Sequence, residues 1–239
     1  LGETDNMYRT YSFDVRKQLI CGENTLRLEF RSPTAYAREM NEKYFLWHNP
    51  DTLPGAAHLR KAICMFGWDW APKLPDMGIF RKVELEAYNG DKIEDISVLQ
   101  HHKDGAVELE IAVATRHGSG GDIRFSIGGQ CAVLKNGKGT VTVTDPRLWW
   151  VRGYGEQYLY EAVTELLCGG EVIDTVRKKI GLRTLSVSTD GEFCFVNNGV
   201  RIVAMGANYV PQDSLVSRIT PKRTRKLLEA CAERNHNCV

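Results

Sequence analysis

Short stretches of alternating apolar and polar residues, separated by two-residue turn signals, dominate the middle of the chain. The apolar positions of the alternating stretches are Val107, Leu109, Ile111 and Val113, then Ile123, Phe125 and Ile127, then Val141 and Val143. The turn signals are Asp104-Gly105, Asn136-Gly137 and Gly169-Gly170. A period of two with recurrent turns is typical of an all-β sandwich. We predict an immunoglobulin-like β-sandwich over residues 89–188, beginning at Asn89-Gly90-Asp91.

The first 88 residues alternate in the same way at two places. Residues 26–31 place apolar side chains on one side and charged ones on the other, and residues 79–87 repeat the pattern. Each stretch therefore predicts a half-buried strand, and residues 33–46 predict a short helix between them. One β-sandwich over residues 1–88 accommodates both strands.

From about residue 189 the pattern changes to a strand hairpin, a long loop and a helix. Asn198-Gly199 is the hairpin turn signal, Thr220 is a good helix N-cap, and Pro221 fits the first helical position. Apolar residues resume at Cys238-Val239. Residues 189–239 therefore predict one βα unit, which cannot bury its apolar surface alone, and we expect the fold to continue beyond Val239.

Four basic residues occupy the start of this helix, where the helix dipole disfavours positive charge. They are Lys222, Arg223, Arg225 and Lys226. We interpret them as a solvated face and expect an acidic neighbour.

Trp68 and Trp70 flank Asp69 in a segment rich in glycine and proline, residues 66–81. Indole rings stack on the apolar face of a sugar, and a carboxylate accepts hydrogen bonds from its hydroxyls. Gly67, Pro72 and Pro75 predict that the segment is a loop instead of a strand. The alternative is that the aromatic residues belong to the core and that Asp69 only caps a turn.

This segment resembles the signature of the sugar-binding domain in family 2 glycoside hydrolases, most of all the β-mannosidases. The pattern there is Phe-Gly-Trp-Asp-Trp-Gly-Pro followed by Gly-Ile-Trp-Arg, and this chain differs at Ala71 and Phe80. Further stretches carry the same resemblance. They are residues 1–15, 149–157, 180–184 and 208–213, the last reading Asn-Tyr-Val-Pro-Gln-Asp where the family typically has Asn-Trp-Ile-Pro-x-Asp.

The resemblance implies a mainly β chain in three parts. These are the C-terminal part of an incomplete jelly-roll sugar-binding domain (1–88), the immunoglobulin-like sandwich (89–188) and the first βα unit of a TIM barrel (189–239). It further implies a non-catalytic portion of a retaining exo-glycosidase that hydrolyses terminal β-mannosides by double displacement. The family's two catalytic glutamates lie on later barrel strands, so no catalytic residue is assigned here. The alternatives are another family 2 enzyme, such as an exo-β-glucosaminidase or β-galactosidase, and a stand-alone carbohydrate-binding module.

Five substrate-binding residues follow from the resemblance. Trp68, Asp69 and Trp70 would reach over the barrel mouth, and Asn208 and Asp213 follow the first barrel strand, where such barrels place their polar site residues. The alternative is loop chemistry, with Asn208 accommodating an unusual backbone angle and Asp213 capping a turn.

Four further groups of residues are expected to have structural tasks. Glu156, Glu161 and Glu165 are expected to be solvated strand surface. The aromatic residues Trp149, Trp150 and Tyr154 are interpreted as an interface that fastens domains together. Arg183 is expected to tie the sandwich to the barrel through a bidentate salt bridge. Most of the seven cysteines are expected to be buried as small apolar residues.

Composition limits the partners. Thirty-one basic and 30 acidic side chains give no electrostatic reason to expect a nucleic acid or membrane partner, and the sequence contains no cofactor or metal motif. The predicted partners are an oligosaccharide with a terminal β-linked sugar and the remainder of the same polypeptide, with homo-oligomerisation left open. An odd number of cysteines without a pairing framework favours the cytoplasm, with a periplasmic or lysosomal parent as the alternative.

Overall fold

The computed structural model describes residues 1–118 and 120–239, and these divide into two units. The first unit contains Leu1–Glu84 and Tyr209–Ala230, and the second contains Leu85–Asn208 and Cys231–Val239. Strands outweigh helices in the described chain, so the predicted mainly β class is confirmed. None of the helices in the described residues is both long and apolar enough to cross a membrane.

The first unit contains the predicted short helix. Helix α1 spans Pro33–Lys43, and its N-cap is Ser32, whose hydroxyl accepts a hydrogen bond from the Ala35 N–H at 3.2 Å. Proline at the first helical position has no N–H, and this N–H would have had no acceptor within the helix. Two three-residue strands follow, β1 (Phe66–Trp68) and β2 (Ala71–Lys73).

Four buried residues form the hydrophobic cluster of this unit, which we call the Phe66 cluster: Ala56, Cys64, Met65 and Phe66. Partly buried side chains from distant parts of the sequence pack against it, among them Met7 and Val216. The Phe66 cluster therefore joins the beginning of the chain, the tryptophan segment and residues 209–230.

Residues 26–31 and 79–87 are not strands, so both of these predictions are wrong. The apolar side chains of the first stretch, Leu26, Leu28 and Phe30, are exposed instead of half-buried. A strand is stabilised by a hydrogen-bonded neighbour, and the described residues supply none for either stretch.

The second unit contains the predicted sandwich. Its strands are β3 (Ile93–Lys103), β4 (Ala106–Thr115), β5 (Asp122–Ile127), β6 (Gln130–Leu134), β7 (Lys138–Thr144), β8 (Tyr160–Cys168) and β9 (Glu171–Ile180). One sheet has the order β3-β4-β7 and the other β6-β5-β8-β9, with every neighbouring pair antiparallel. The inward-facing residues of both sheets, including Leu109, Ile111 and Phe125, form one buried core.

The turn signals lie where the sequence places them. Asp104 and Gly105 have φ values of 39° and 77°, and Asn136 and Gly137 have values of 51° and 73°. Two consecutive positive φ values suit a two-residue hairpin, because they match the right-handed twist of the flanking strands. The local sequence therefore sets the register of these hairpins.

A third sheet follows the sandwich in the same unit. It consists of β10 (Leu185–Ser188), β11 (Cys194–Asn197) and β12 (Val200–Ile202), with the predicted Asn198-Gly199 turn between the last two. Further along, Gly206 and Cys238 form a parallel bridge. A Cβ atom on Gly206 would lie 1.8 Å from the Cys238 carbonyl oxygen, so this approach requires glycine.

Helix α2 spans Pro221–Glu233 and lies in sequence between the two halves of that parallel bridge. Its predicted N-cap is confirmed, because the Arg223 N–H donates to the Thr220 hydroxyl at 3.3 Å. No residue of α2 is buried, so its apolar stripe is left uncovered by the described residues. A helix between two residues that form a parallel bridge is compatible with a βα unit, and the barrel remains a prediction.

Two adjacent asparagines fasten the third sheet to the segment that carries Trp149. The fully buried Asn197 accepts a hydrogen bond from the Val151 N–H at 3.1 Å and donates one to the Thr184 carbonyl at 3.0 Å. Asn198 donates to the Trp149 carbonyl at 3.0 Å. These hydrogen bonds use backbone atoms of the segment and lie within the second unit, so the predicted role of its aromatic residues in fastening domains together stays a prediction.

Arg183 has no carboxylate partner in the described chain, so the predicted salt bridge is wrong. Its guanidinium lies over the Trp149 ring, 4.5 Å from the ring centroid. A backbone contact between distant parts of the sequence brings the two side chains together, since the Trp149 N–H donates to the carbonyl of Leu182, the residue before the arginine. A cation–π contact replaces the expected ion pair.

The prediction that most cysteines are buried is also wrong. Only Cys64 is buried among the seven, all of which are described, while Cys131 and Cys168 are exposed at the surface of the sandwich. Neither belongs to the buried core of the sandwich.

We predict that Asn197→Ala lowers the free energy of unfolding by about 1 to 3 kcal/mol, because it removes two hydrogen bonds of a fully buried side chain and leaves the Val151 N–H without its partner. Urea unfolding followed by far-UV circular dichroism measures the change. Gln130→Ala, at an exposed position of β6, is the control and should change the same quantity by less than about 0.5 kcal/mol. Equal effects of the two substitutions would contradict the fastening role of Asn197.

Candidate functional site

The tryptophan segment is a tight antiparallel hairpin with Asp69 and Trp70 at its turn. Trp68 pairs with Ala71 and Phe66 pairs with Lys73. The prediction of a loop without strands is therefore wrong. Proline at position 72 is compatible with the pairing because a two-stranded ribbon has open edges, where an N–H is not needed.

Gly67 holds the hairpin against the loop that precedes it. Its φ is +100°, and an added Cβ atom would lie 2.4 Å from the Asp51 carbonyl oxygen. The Leu53 N–H donates to the Phe66 carbonyl at 2.9 Å, and the Lys73 ammonium donates to the Pro50 carbonyl at 3.3 Å. The base of the hairpin is thus fixed from both strands.

The three aromatic residues of the hairpin differ in burial. Phe66 is only 1% exposed and belongs to the hydrophobic cluster, whereas Trp68 and Trp70 are 41% and 42% exposed. The interpretation as core aromatics therefore holds for Phe66 alone. Both indole rings present an apolar surface to solvent.

Asp69 is exposed and makes no hydrogen bond or ion pair with any residue that the structure describes. A carboxylate that capped its own turn would accept a nearby backbone N–H. Asp69 does not do so, and both of its oxygen atoms are available to a ligand.

Residues 209–230 belong to the same unit as the hairpin, and Val216 packs against the Phe66 cluster. This packing brings the loop that carries Asp213 into the unit that carries Asp69. Asn208 belongs to the other unit, where its side chain is exposed and has no partner among the described residues. Its φ is not positive, so an unusual backbone angle does not account for asparagine at this position.

Asp213 holds the start of helix α2. Its Oδ1 accepts a hydrogen bond from the Leu215 N–H at 3.0 Å, and its Oδ2 lies 3.2 Å from Arg218 Nε and 3.1 Å from Arg223 Nη1. The side chain is 12% exposed. The Leu215 N–H, and after it the two guanidinium groups, hold the pKa of the Asp213 carboxyl below its usual range.

This carboxylate is the acidic neighbour that the basic helix start predicts. Its turn-capping alternative is confirmed by the Leu215 hydrogen bond, while its contact with a sugar stays a prediction.

A side-chain network beside Asp213 was missed by sequence reasoning. The amide nitrogen of Gln212 donates to the Tyr209 hydroxyl at 3.1 Å and to the Thr224 hydroxyl at 2.7 Å. Thr224 in turn donates to the Thr220 carbonyl at 3.2 Å. No motif marks these residues as a group, because their contacts depend on how the loop folds back on helix α2.

Three glutamates of the sandwich region each form an ion pair with an arginine on the protein surface. The pairs are Glu156 with Arg147 at 2.6 Å, Glu161 with Arg177 at 3.0 Å and Glu165 with Arg124 at 2.7 Å. The hydrogen bond from Arg124 lowers the pKa of the Glu165 carboxyl. The described residues hold no group of three or more side chains suited to a metal ion.

Two family models match the chain. "Glycosyl hydrolase 2 galactose-binding domain-like" matches residues 1–81, and "Glycosyl hydrolases family 2" matches residues 91–183. The first match includes the tryptophan hairpin, and the second coincides with the sandwich.

Individual relatives agree with these models. Beta-mannosidase B of Emericella nidulans is 34% identical over 96% of this chain and 30% of its own length. The beta-mannosidase of Mus musculus is 29% identical over 99% of this chain and 31% of its own length. The crystal structure of beta-D-mannosidase from Dictyoglomus thermophilum is 32% identical, with a TM-score of 0.87 over 99% of this chain and 32% of that one. The chain therefore spans about a third of the length of the relatives it matches.

We predict that Asp213→Asn destabilises the first unit at neutral pH and that the difference from the wild type disappears in acid. A carboxyl whose pKa is lowered on folding stabilises the fold above its unfolded pKa, about 3.9, and loses that effect as the pH falls through the lower folded pKa. The difference in urea unfolding free energy should be constant from about pH 7 to pH 5 and should shrink below about pH 4. Asp51→Asn, at an exposed turn position, is the control. A difference for Asp213→Asn that stays constant down to pH 3 would contradict the ion-pair explanation.

Proposed function

The chain belongs to family 2 of the glycoside hydrolases, and from this we propose that the whole protein is a retaining β-mannosidase that releases single sugars from nonreducing ends. The observation that carries the proposal is the Trp68-Asp69-Trp70 hairpin tip, where a free carboxylate stands between two half-exposed indoles. The similarity to β-mannosidases supports the choice of sugar, since these relatives match nearly the whole of this chain.

The hairpin tip suits the recognition of a neutral sugar. Indole faces offer apolar area for stacking against sugar C–H groups, and the Asp69 oxygens can accept hydrogen bonds from two adjacent hydroxyls. Because the hairpin base is fixed by Gly67 and by two backbone-directed hydrogen bonds, the backbone that carries Asp69 is positioned before the ligand arrives.

We propose that this part of the protein positions the substrate and that the chemical step belongs to other residues. Retaining hydrolysis needs an acid and a nucleophile whose carboxyl groups are about 5 to 5.5 Å apart. Glu156, Glu161 and Glu165 do not fit these roles, because each is paired with an arginine on the surface. Asn208 remains a proposed substrate contact, and Asp213 is proposed to act by anchoring the loop beside the site.

We predict that Asp69→Ala in the whole protein lowers kcat/KM for 4-nitrophenyl β-mannoside by about 10- to 100-fold, since a hydrogen bond to a charged group is lost. The melting temperature should not change, because Asp69 has no partner in the described protein. Initial rates and thermal unfolding measure the two effects.

Asp51→Ala is the matched control, since Asp51 is an exposed aspartate of the same unit and should leave kcat/KM unchanged. An unchanged kcat/KM in Asp69→Ala would remove Asp69 from the site. Testing the wild type on β-galactosides and β-glucosaminides separates the alternatives, and a preference for either over the mannoside would overturn the proposed specificity.

A further inference from the structure

We propose that Tyr209 is a further specificity-determining residue, whose hydroxyl donates a hydrogen bond to a hydroxyl oxygen of the bound sugar. The inference rests on the proposed glycosidase function and adds to it a residue outside the tryptophan hairpin. Its basis is the direction of each hydrogen bond in the network around Gln212.

Every donor in this network except one is used. Gln212 donates through its amide nitrogen to the Tyr209 oxygen at 3.1 Å and to the Thr224 oxygen at 2.7 Å. The Thr224 proton is used on the Thr220 carbonyl at 3.2 Å. The amide nitrogen of Gln212 has two protons and the Thr224 hydroxyl has one, so all three of these protons are used in hydrogen bonds.

In the orientation of the Gln212 amide that the structure gives, the Tyr209 oxygen is an acceptor, and the buried Gln212 Oε1 has no partner among the described residues. The proton of the Tyr209 hydroxyl has no acceptor among the described residues. The side chain is 40% exposed, so this proton points to a region that a ligand can reach. A phenol that accepts one hydrogen bond becomes a better donor in the next one. Gln212 is accordingly a positioning residue for Tyr209.

The neighbouring carboxylate does not compete for this role. Asp213 is 12% exposed, and its two oxygens are engaged by the Leu215 N–H and by two arginines. The polar group of this loop that is available to a ligand is therefore the Tyr209 hydroxyl, which acts as a donor. The hairpin of the same unit offers the opposite chemistry, since Asp69 can only accept when ionised.

The test uses the whole protein and the nitrophenyl β-glycoside that it hydrolyses fastest, together with the monodeoxy analogues of that substrate. Tyr209→Phe removes only the hydroxyl and should lower kcat/KM by about tenfold. On the deoxy analogue that lacks the sugar hydroxyl contacted by Tyr209, the wild type and Tyr209→Phe should have the same kcat/KM. A purely structural tyrosine would lose the same factor on every analogue.

Gln212→Glu tests the direction of the hydrogen bond between Gln212 and Tyr209, with almost no change in the shape of the side chain. A carboxylate at position 212 only accepts, so it would take the Tyr209 proton away from the ligand. We expect the loss seen in Tyr209→Phe and no further loss in the double variant. Full activity of Gln212→Glu would overturn the assigned direction.

Tyr36→Phe, on the exposed side of α1, is the control and should leave kcat/KM unchanged. Failure of the proposed specificity and failure of the Tyr209 inference give different results. A wild type that prefers a galactoside overturns the proposed specificity, and the Tyr209 comparison then proceeds on that substrate. An unchanged kcat/KM in Tyr209→Phe, with a wild type that discriminates against no deoxy analogue by more than about twofold, overturns the inference itself.

Discussion

Backbone hydrogen bonding between neighbouring strands decides which parts of this chain are ordered as sheets. From Ile93 to Ile202 each strand has an antiparallel neighbour, and the apolar face of each main sheet is buried in the sandwich core. Residues 26–31 have an equally clear alternation and no neighbour, and their apolar side chains stay exposed. A segment of alternating apolar and polar residues has a face that can be buried, but it becomes a strand only when its backbone is hydrogen-bonded to a neighbouring strand.

The candidate site follows from the same constraint at a smaller scale. A turn of two residues, Asp69 and Trp70, allows β1 and β2 to pair, and in this hairpin Phe66 is buried while Trp68 is exposed. Val216 packs on the cluster that receives Phe66, so one apolar contact links the hairpin to residues 209–230. The position of the exposed Asp69 carboxylate therefore depends on the burial of Phe66, three positions earlier.

Two aspartates of the first unit, Asp213 and Asp69, differ in whether their carboxylates form ion pairs. Asp213 compensates Arg223 at the start of helix α2, where the helix dipole alone would disfavour a positive charge. Asp69, in contrast, carries a charge without any partner in the described protein. Two aspartates that look alike in the sequence thus have different tasks, and their partners distinguish them.

The sequence by itself determined the features whose causes are local. The Asp104-Gly105 and Asn136-Gly137 turns, the Thr220 cap and the sandwich between residues 89 and 188 depend on residues close together in the chain, so their patterns are readable. Tertiary structure alone decided the cation–π contact of Arg183, the donors around Gln212 and the absence of strands in the first 31 residues. These depend on which distant groups the fold brings within hydrogen-bonding or stacking distance, and no local pattern records that.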